Sequence, residues 1–433
     1  MATHTQGIVD IDALSSGNWP QAWQRFYHDP DNAQHISPDF VPRLEAARTQ
    51  LADFRLQGYD KGRNHIQGNV SRLNPYITWG VFTLREVQQQ LRGRGPWRDY
   101  QKFVNELAWK QYFRECHLAL GERIYSSLEP YKYPRSPDQD LPEALEQGRS
   151  GLACMDSIVQ ELRHSGYLHN HKRMWFAAYT VHYANVAWWQ GEALFYRYLL
   201  DGEPGANALS WQWVASTFSG KPYYFNNSNL RKFGHSACNG DPRLEASYEA
   251  IDAEVFAGYG SGGYAKRPKE QPQSLGHVPH PRLLRDVGEK PLLLLHAERL
   301  SDSAAVLAAD PQAPVLVYLD GRRWQEEQPS FMRFHFAMQL AADVVRCLRQ
   351  QGRAADVLLS DDVQSVVDYA RSHDCHSIAA PDSWHPNTWQ TLLELDQQQP
   401  VSVVPDEPFA EVATSLRSFS SFWNKAQAQV LSR

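Results

Sequence analysis

The chain has 433 residues, 42% of them hydrophobic, and a formal net charge of −6, so it is long enough for two or three globular domains. None of its five cysteines belongs to a CxxC pair, which argues against a disulfide framework, a zinc site and an iron–sulfur cluster. The first ten residues, MATHTQGIVD, hold no apolar run and no stretch reaches membrane-spanning length, so we expect a soluble protein of the reducing cytoplasm without membrane contact.

The first part of the chain predicts helices joined by polar loops. Apolar side chains recur at helical spacing in residues 19–27 and 44–56. The loop 68–75, GNVSRLNP, leads into short helices, and Thr83 with Glu86 predicts a capping box that opens the next helix. Asn and Ser side chains with free N–H groups suit a pyrophosphate. A plain, well-capped loop is the alternative.

Residues 103–120, FVNELAWKQYFRECHLAL, predict one amphipathic helix. Glu106, Trp109 and Lys110 fall on its otherwise apolar stripe. A carboxylate that accepts hydrogen bonds, beside an indole that stacks, is typical of a cavity wall. The alternative is an ordinary helix with Glu106 at the margin of its apolar face.

The stretch 169–213 combines one unusual cation with two acids on a turn, several Trp and two Asn at helical spacings. A helix is predicted over residues 173–198, because this segment is rich in aromatic residues and Ala and has few charges. Asn170, Arg173 and Met174 share one helical face. Such a mixture is unusual for a simple packed core.

The turn 201–205, DGEPG, precedes a second helix on which Asn207 and Trp211 lie one turn apart. An Arg that emerges from an apolar helix needs an anion, since an unpaired buried charge is costly, and Asp201 is the natural partner of Arg173. This pair is either a structural bridge within an aromatic core or one wall of a cofactor pocket.

Residues 257–282 form a Gly-rich and then Pro-rich linker, so we place one domain at 1–256 and a second at 283–433. The second domain alternates short apolar strands with helices, which predicts a parallel sheet with right-handed crossovers. It lacks the glycine-rich motifs of ordinary dinucleotide and NTP sites. The predicted strands cover residues 291–296, 313–319, 355–359, 377–381 and 401–404, and the predicted helices cover 331–351 and 363–373.

Four segments together resemble the flavin-binding domain of the photolyase/cryptochrome family: NVSRLNPYITWG, NELAWKQYFR, HNHKRM and DGEPGANALSWQWVAST. Residues 291–381 resemble the antenna domain of the same family. In ordinary members the antenna domain comes first, so the order here resembles a circular permutation. The resemblance implies a helical FAD-binding domain followed by an α/β, Rossmann-like domain with a parallel sheet.

The resemblance also implies a role for each matched residue. The FAD cofactor would be held by Tyr59, Ser71, Asn74, Lys110, Asn170, Arg173, Asp201, Glu203 and Asn207. The catalytic group would comprise Trp211, Trp188, Asn207 and Glu106, with the two Trp passing an electron inward. A pyrimidine dimer flipped out of DNA would enter a mouth formed by Glu106, Trp109, Met174, Trp213 and Arg63.

These roles imply blue-light-driven repair of cyclobutane pyrimidine dimers by a photolyase-like lyase. The alternatives are a cryptochrome-like photoreceptor that binds FAD and a protein partner without repairing DNA, and a flavoprotein that acts in the dark. The segment YKYPRSPDQDLPEALEQG lacks the family's outer Trp, where Tyr131 or Tyr133 could substitute. His296-Ala-Glu-Arg-Leu-Ser-Asp replaces the family's Arg-Arg-Asp-Leu-Arg, which leaves the antenna chromophore open.

DNA as a partner requires locally positive charge. Residues 1–280 carry 29 Lys and Arg against 29 Asp and Glu, so the remaining 14 against 20 account for the whole net charge of −6. A solvated surface of mixed charge is therefore the alternative to a DNA-binding patch. The cations proposed for such a patch are Arg63, Arg72, Lys172, Lys221, Arg231 and Lys232.

Overall fold

The computed structural model describes residues 7–30, 33–135, 139–258, 283–412 and 418–432. The chain up to residue 258 is helical in these ranges, and the linker predicted at 257–282 lies outside the described residues from 259 onward. The α-helices are α1 (Ile11–Ser15), α2 (Leu44–Asp53), α3 (Tyr59–Gly62), α4 (Asn74–Thr78), α5 (Leu84–Leu91), α6 (Trp97–Leu120), α7 (Glu143–Glu146), α8 (Ala153–Ser165), α9 (Asn170–Ala178), α10 (Trp188–Tyr198), α11 (Pro204–Ala215), α12 (Asn227–Lys232) and α13 (Tyr248–Val255). Short 3-10 helices lie at Gln21–Phe26, Gly121–Tyr125 and Pro242–Glu245.

The single helix predicted over residues 173–198 is wrong, because the chain forms two helices there. α9 continues into a π-helical turn at Tyr179–Tyr183, and α10 begins only at Trp188. Between them Asn185 has a φ of 55°, a left-handed conformation that an α-helix excludes. The break lets both helices pack separately against α11.

The C-terminal part contains one parallel sheet, as predicted. Its strands are β1 (Pro291–Leu295), β2 (Val315–Asp320), β3 (Ala355–Ser360), β4 (Ser377–Ala380) and β5 (Val401–Val403), in the order β3-β2-β1-β4-β5. Leu293 lies opposite Val315 on one side and opposite Ala379 on the other. The strands are almost wholly apolar and buried because helices cover both faces.

The helices of this part are α14 (Gly321–Glu327), α15 (Phe331–Gln350), α16 (Gln364–Ser372), α17 (Pro386–Asp396) and α18 (Phe419–Val430). A 3-10 helix lies at Ala305–Ala308. The predictions for α15 and α16 agree with the structure to within a residue. α14, α17 and α18 were not predicted. The seven residues of α14 are rich in charge and carry too little apolar periodicity to detect.

Many contacts join the N-terminal and C-terminal parts, and two of them involve the ends of the described chain. The Val9 N–H donates to Val357 O, and the Leu359 N–H donates to Gly7 O, so the first described residues run antiparallel to β3. α18 folds back onto α6. One apolar core therefore continues from the helical part into the α/β part.

Two expectations drawn from composition can be compared with the fold. Among the residues described, no helix is both long and apolar enough to cross a bilayer. The expectation for the cysteines is wrong at one pair, because Cys154 at the start of α8 is bonded to Cys238. The pair gave no sequence signal because 84 residues separate its members. The Asn227 side chain fixes Cys238 by accepting from its N–H at 2.7 Å and donating to its carbonyl at 3.1 Å.

Candidate functional site

A cavity of about 490 Å³ opens in the helical part, between α6, α9, α11 and the loop that precedes α4. Its volume falls within the range of about 300–1,000 Å³ that is usual for cofactor and small-molecule sites. Of the sixteen residues given roles from the sequence, Trp188 alone does not line it. The other fifteen are Tyr59, Arg63, Ser71, Asn74, Glu106, Trp109, Lys110, Asn170, Arg173, Met174, Asp201, Glu203, Asn207, Trp211 and Trp213.

Asp201 is buried in the inner wall and is held by three hydrogen bonds. The Arg173 Nη2 lies 3.0 and 2.8 Å from its two carboxylate oxygens, and the Asn74 Nδ2 donates to its Oδ2 at 2.8 Å. Burial alone would raise the pKa of Asp201, but Arg173, Asn74 and Lys110 outweigh burial and lower it. The carboxylate therefore stays ionised and keeps lone pairs for a ligand.

Glu203 occupies the N-cap of α11 and forms a second buried charge centre. It contacts the Lys110 Nζ at 2.7 Å and the Arg114 Nη2 at 2.6 Å, and it accepts from the Thr78 hydroxyl at 3.1 Å. Burial opposes ionisation of Glu203, but Arg114 and Lys110 outweigh it and lower its pKa. For Lys110 burial prevails over the attraction of Glu203 and lowers the pKa.

Sequence reasoning did not find Arg114. Its spacing could have indicated it, because Arg114 follows Lys110 by one helical turn and lies on the same face of α6. The two cations converge on one carboxylate, so removal of either leaves Glu203 with a single charged partner.

The turn between the two carboxylates is held from behind by Arg333 of α15. Its Nη2 donates to the Gly202 carbonyl at 2.8 Å, and the guanidinium also contacts the Tyr196 carbonyl. A Cβ at Gly202 would lie 2.5 Å from Arg333 Nη1, so a larger residue here would displace this guanidinium. A buried cation of the α/β part thereby helps to position Asp201 and Glu203.

Asn207 is paired with Glu192, a second residue that sequence reasoning did not find. The Asn207 Nδ2 donates to Glu192 Oε1 at 2.7 Å and to the Glu192 carbonyl at 2.9 Å. Burial raises the pKa of Glu192 to about 7, although the bond from Asn207 opposes the rise. The sequence pattern that could have indicated Glu192 is that it is the one acidic residue in residues 174–200.

Trp211 lines the cavity, and its indole packs edge-on against Phe195 with ring centroids 5.1 Å apart. Trp188 lies fully buried outside the cavity and donates through Nε1 to Ser127 Oγ at 3.0 Å. Its ring meets Trp189 edge-on at 5.8 Å, and Trp189 is 44% exposed. An indole pair therefore leads from the protein surface into the interior on this side.

The mouth of the cavity combines charge with aromatic rings. Glu106 contacts the Arg63 Nε at 3.3 Å and the Lys102 Nζ at 2.7 Å. The Trp109 indole lies parallel to the Phe419 ring with a centroid separation of 3.7 Å. Trp213 on the opposite helix is 37% exposed. Two indoles are thus placed where a planar group that enters the cavity could stack.

Comparisons with known proteins bear on this site. Residues 103–240 match the family described as the FAD binding domain of DNA photolyase. The deoxyribodipyrimidine photo-lyase of Streptomyces griseus is 31% identical over 198 residues, which cover 44% of this chain and 42% of that protein. That of Vibrio cholerae is 28% identical over 224 residues, 48% of each chain. The chain therefore spans about half the length of the curated relatives it matches.

A solved structure is also similar. It is a bacterial class III photolyase from Agrobacterium tumefaciens, which is 26% identical. The match covers 50% of this chain and 48% of that chain with a TM-score of 0.43.

Proposed function

Through the FAD binding domain at residues 103–240 this chain belongs to the photolyase/cryptochrome family, and from that premise we propose that it repairs cyclobutane pyrimidine dimers in DNA under blue light. The observation that carries the proposal is one cavity with two kinds of wall. Its inner wall holds ionised, hydrogen-bonded carboxylates, and its mouth carries two indoles. The first suits a polar cofactor and the second suits an unstacked base.

The residues of the inner wall fit FAD. When bound, FAD supplies a light-driven donor and acceptor of a single electron. Asp201 and Glu203 would accept hydrogen bonds from its N–H and O–H groups, since both stay ionised. Ser71 and Asn74 would line its phosphate and ribityl portion. Lys110 would add positive charge beside Glu203.

Asn207 would be oriented by Glu192. Because Asn207 Nδ2 is taken by Glu192, its Oδ1 is the atom left for the cavity. Glu192, with a pKa of about 7, can hold a proton on its carboxyl near neutral pH. Glu192 would therefore orient the Asn207 amide so that its Oδ1, a hydrogen-bond acceptor, faces the bound cofactor.

At the mouth, Trp109 and Trp213 would stack on the bases of a flipped dimer. Glu106 would accept hydrogen bonds from their polar edges, while Arg63 and Lys102 hold its carboxylate in place. Asn170 and Met174 lie together on the same side, with the amide nitrogen 3.6 Å from the sulfur. Trp188 and Trp211 would carry an electron from the surface toward the cavity.

The permuted domain order is part of the proposal. Its support is that residues 7–9 run along the edge of the sheet, so the N-terminal segment lies beside the α/β part. A rearranged chain that begins at residue 283 and continues from residue 432 into residue 7 through a flexible connection should then fold and retain flavin. Loss of folding in that chain would speak against permutation.

The experiment that tests the function measures dimer loss from an irradiated thymine oligonucleotide under blue light and in darkness. If the protein repairs dimers, they should be lost from the oligonucleotide under blue light and should persist in darkness. Trp109→Ala should abolish it, whereas Trp97→Ala should not, because Trp97 lies twelve residues earlier on the same helix, about 18 Å along its axis. Flavin reduction in the light without dimer loss would instead support the photoreceptor function. The ion pairs of Glu106 with Arg63 and Lys102 also favour that function, because they leave little free positive charge for DNA at the mouth.

A further inference from the structure

We propose that Trp384, in the loop between β4 and α17, positions the buried carboxylate of Glu203 for the cofactor by stacking on Arg114. The inference rests on the proposed function, because it takes FAD as the occupant of the cavity, and it adds a residue of the α/β part to the flavin site. Trp384 does not line the cavity, so it would act on the cofactor through Arg114.

Arg114 links the other two residues. Its Nε donates to Glu203 Oε2 at 3.1 Å and its Nη2 donates to Glu203 Oε1 at 2.6 Å, so the guanidinium binds both carboxylate oxygens. The same Nη2 donates to the Ile77 carbonyl at 3.3 Å. A bidentate pair of this kind depends on the orientation of the guanidinium plane, because rotation of the plane breaks one of the two bonds.

Trp384 covers one face of this guanidinium. The Arg114 Cζ lies 4.7 Å from the centroid of the indole ring. Among the described residues the Trp384 Nε1 has no hydrogen-bond partner, so the ring face and not the N–H group makes the contact. The attraction between a cation and an aromatic face is stronger where water is excluded, and the Arg114 side chain is only 12% exposed.

A neighbouring contact holds the same loop against α6. His385 follows Trp384, and its ring meets the His117 ring edge-on at a centroid separation of 5.3 Å. His117 lies about one turn after Arg114, so two consecutive loop residues contact one face of the helix. Burial and the charge of Arg323 lower the pKa of His117 to about 4 and the pKa of His385 well below its usual range. Both rings are therefore neutral near pH 7 and do not repel Arg114.

Glu298, buried in the α/β part, fixes the loop that carries Trp384. The Ser383 hydroxyl donates to Glu298 Oε2 at 3.3 Å and accepts from the His385 N–H at 3.0 Å. The Thr388 hydroxyl, in the first turn of α17, donates to the same carboxylate oxygen at 2.8 Å. The indole that covers Arg114 therefore stands on a loop with its own hydrogen-bonded support.

This edge of the sheet leaves little room for a ligand of its own. Sheets of this type usually bind ligands at the carboxyl ends of their strands. Here the space at the ends of β1 and β2, between His296, Asp320 and Thr388, measures about 30 Å³. That is room for about one or two water molecules. The edge therefore suits contact with the helical part better than it suits a second cofactor.

The first test follows the release of flavin from the loaded protein after dilution, through the rise in fluorescence of free flavin. Trp384→Leu removes the aromatic face, and we expect release to become about 3- to 30-fold faster. Trp384→Phe keeps a ring face and loses only the N–H group, so its release rate should stay within about threefold of the wild type. The control Tyr369→Leu removes a ring that stacks on His373 inside the α/β part, so it should lower Tm and leave flavin release unchanged.

The second test asks whether Trp384 acts through Arg114. Arg114→Gln leaves Lys110 as the charged partner of Glu203 and should itself speed release. In that background Trp384→Leu should change the release rate by less than about twofold, because the group that the indole holds is gone. The Tm of each variant separates faster release from loss of stability. If Trp384→Leu does not fold, Trp384→Met, which also lacks an aromatic face but is larger than Leu, takes its place.

The outcomes separate this inference from the proposed function. Wild-type release in Trp384→Leu, or an equal acceleration with and without Arg114, overturns the inference and leaves Trp384 a residue that only stabilises the fold. Faster release that depends on Arg114 and is restored by Phe supports it. If that pattern holds while the loaded wild type removes no dimer in the light, the inference stands and the proposed repair fails.

Discussion

The phenyl ring of Phe419 lies against the indole of Trp109 at a centroid separation of 3.7 Å and an interplanar angle of 11°. Trp109 lines the cavity whereas Phe419 does not, so Phe419 covers the indole face that points away from the cavity. Trp423, one turn further along α18, continues the parallel stack at 6.3 Å. The C-terminal helix thereby fixes the orientation of an indole at the mouth of a cavity formed by the helical part.

Phe419→Leu should weaken binding of a dimer-containing oligonucleotide in the dark. Loss of an aromatic pair costs about 0.5–1.5 kcal/mol, which corresponds to about a 2- to 12-fold rise in Kd. The control is Phe422→Leu, a buried change on the same helix that should lower Tm and leave the dimer Kd unchanged. Equal effects of both variants on the dimer Kd would show that Phe419 acts only through the stability of α18.

Arg173→Gln should destabilise the protein and release flavin, because it leaves Asp201 buried without its main cation. Removing one partner of a buried ion pair costs about 3–5 kcal/mol. The double variant Arg173→Gln, Asp201→Asn should recover most of the lost stability but not the flavin. Thermal unfolding and flavin absorbance per chain report the two effects, and a single variant that keeps the wild-type Tm contradicts the expectation.

Glu192 should make stability depend on pH. Burial raises its pKa from 4.5 to about 7, so the folded chain holds a proton that the unfolded chain has released between these values. The free energy of unfolding should therefore fall by about 3 kcal/mol as pH rises through this window, and then stay level. Urea titrations across the window should show a smaller decline in Glu192→Gln, whose side chain does not titrate. Parallel curves for wild type and variant would rule out the raised pKa.

Trp211→Phe should largely abolish light-driven reduction of bound FAD in the presence of an external thiol, because it removes the oxidisable indole at the cavity wall. Trp188→Phe should do the same, because Trp188 is fully buried and its ring contacts the exposed Trp189. Trp97→Phe serves as the control, since Trp97 lies at the far end of α6. The absorbance of oxidised flavin under illumination measures the rate. A wild-type rate in Trp211→Phe would require a different electron route.

Opening the bond between Cys154 and Cys238 should lower stability. The bond closes a loop of 84 residues, and the chain-entropy relation for such a loop gives about 4.5 kcal/mol. Cys154→Ser should therefore lower Tm, and added reductant should lower the Tm of the wild type but not that of the variant. Thiol labelling in lysed cells tests the reducing cytoplasm expected from the sequence, where such bonds are rare. Complete labelling of both cysteines would show that the bond is absent there.

Patterns confined to one segment of the chain were predictable from the sequence. Thr83 and Glu86 form the expected capping box, with the Glu86 N–H donating to the Thr83 hydroxyl at 3.0 Å. The five strands lie where short apolar runs predicted them. The pairing of Arg173 with Asp201 was also predictable, because a buried cation must find an anion and few acids were near.

By itself, then, the sequence determined the apolar strands, the capped helices and the residue types that line the cavity, since these follow from periodicity and charge within a segment. Only the tertiary structure decided which distant side chains meet. Glu192 faces Asn207 across 15 residues, and Arg114 reaches Glu203 across 89. Phe419 stacks on Trp109 only because the last helix folds back onto α6. Such pairs depend on how helices pack in space, and no spacing along the chain records that packing.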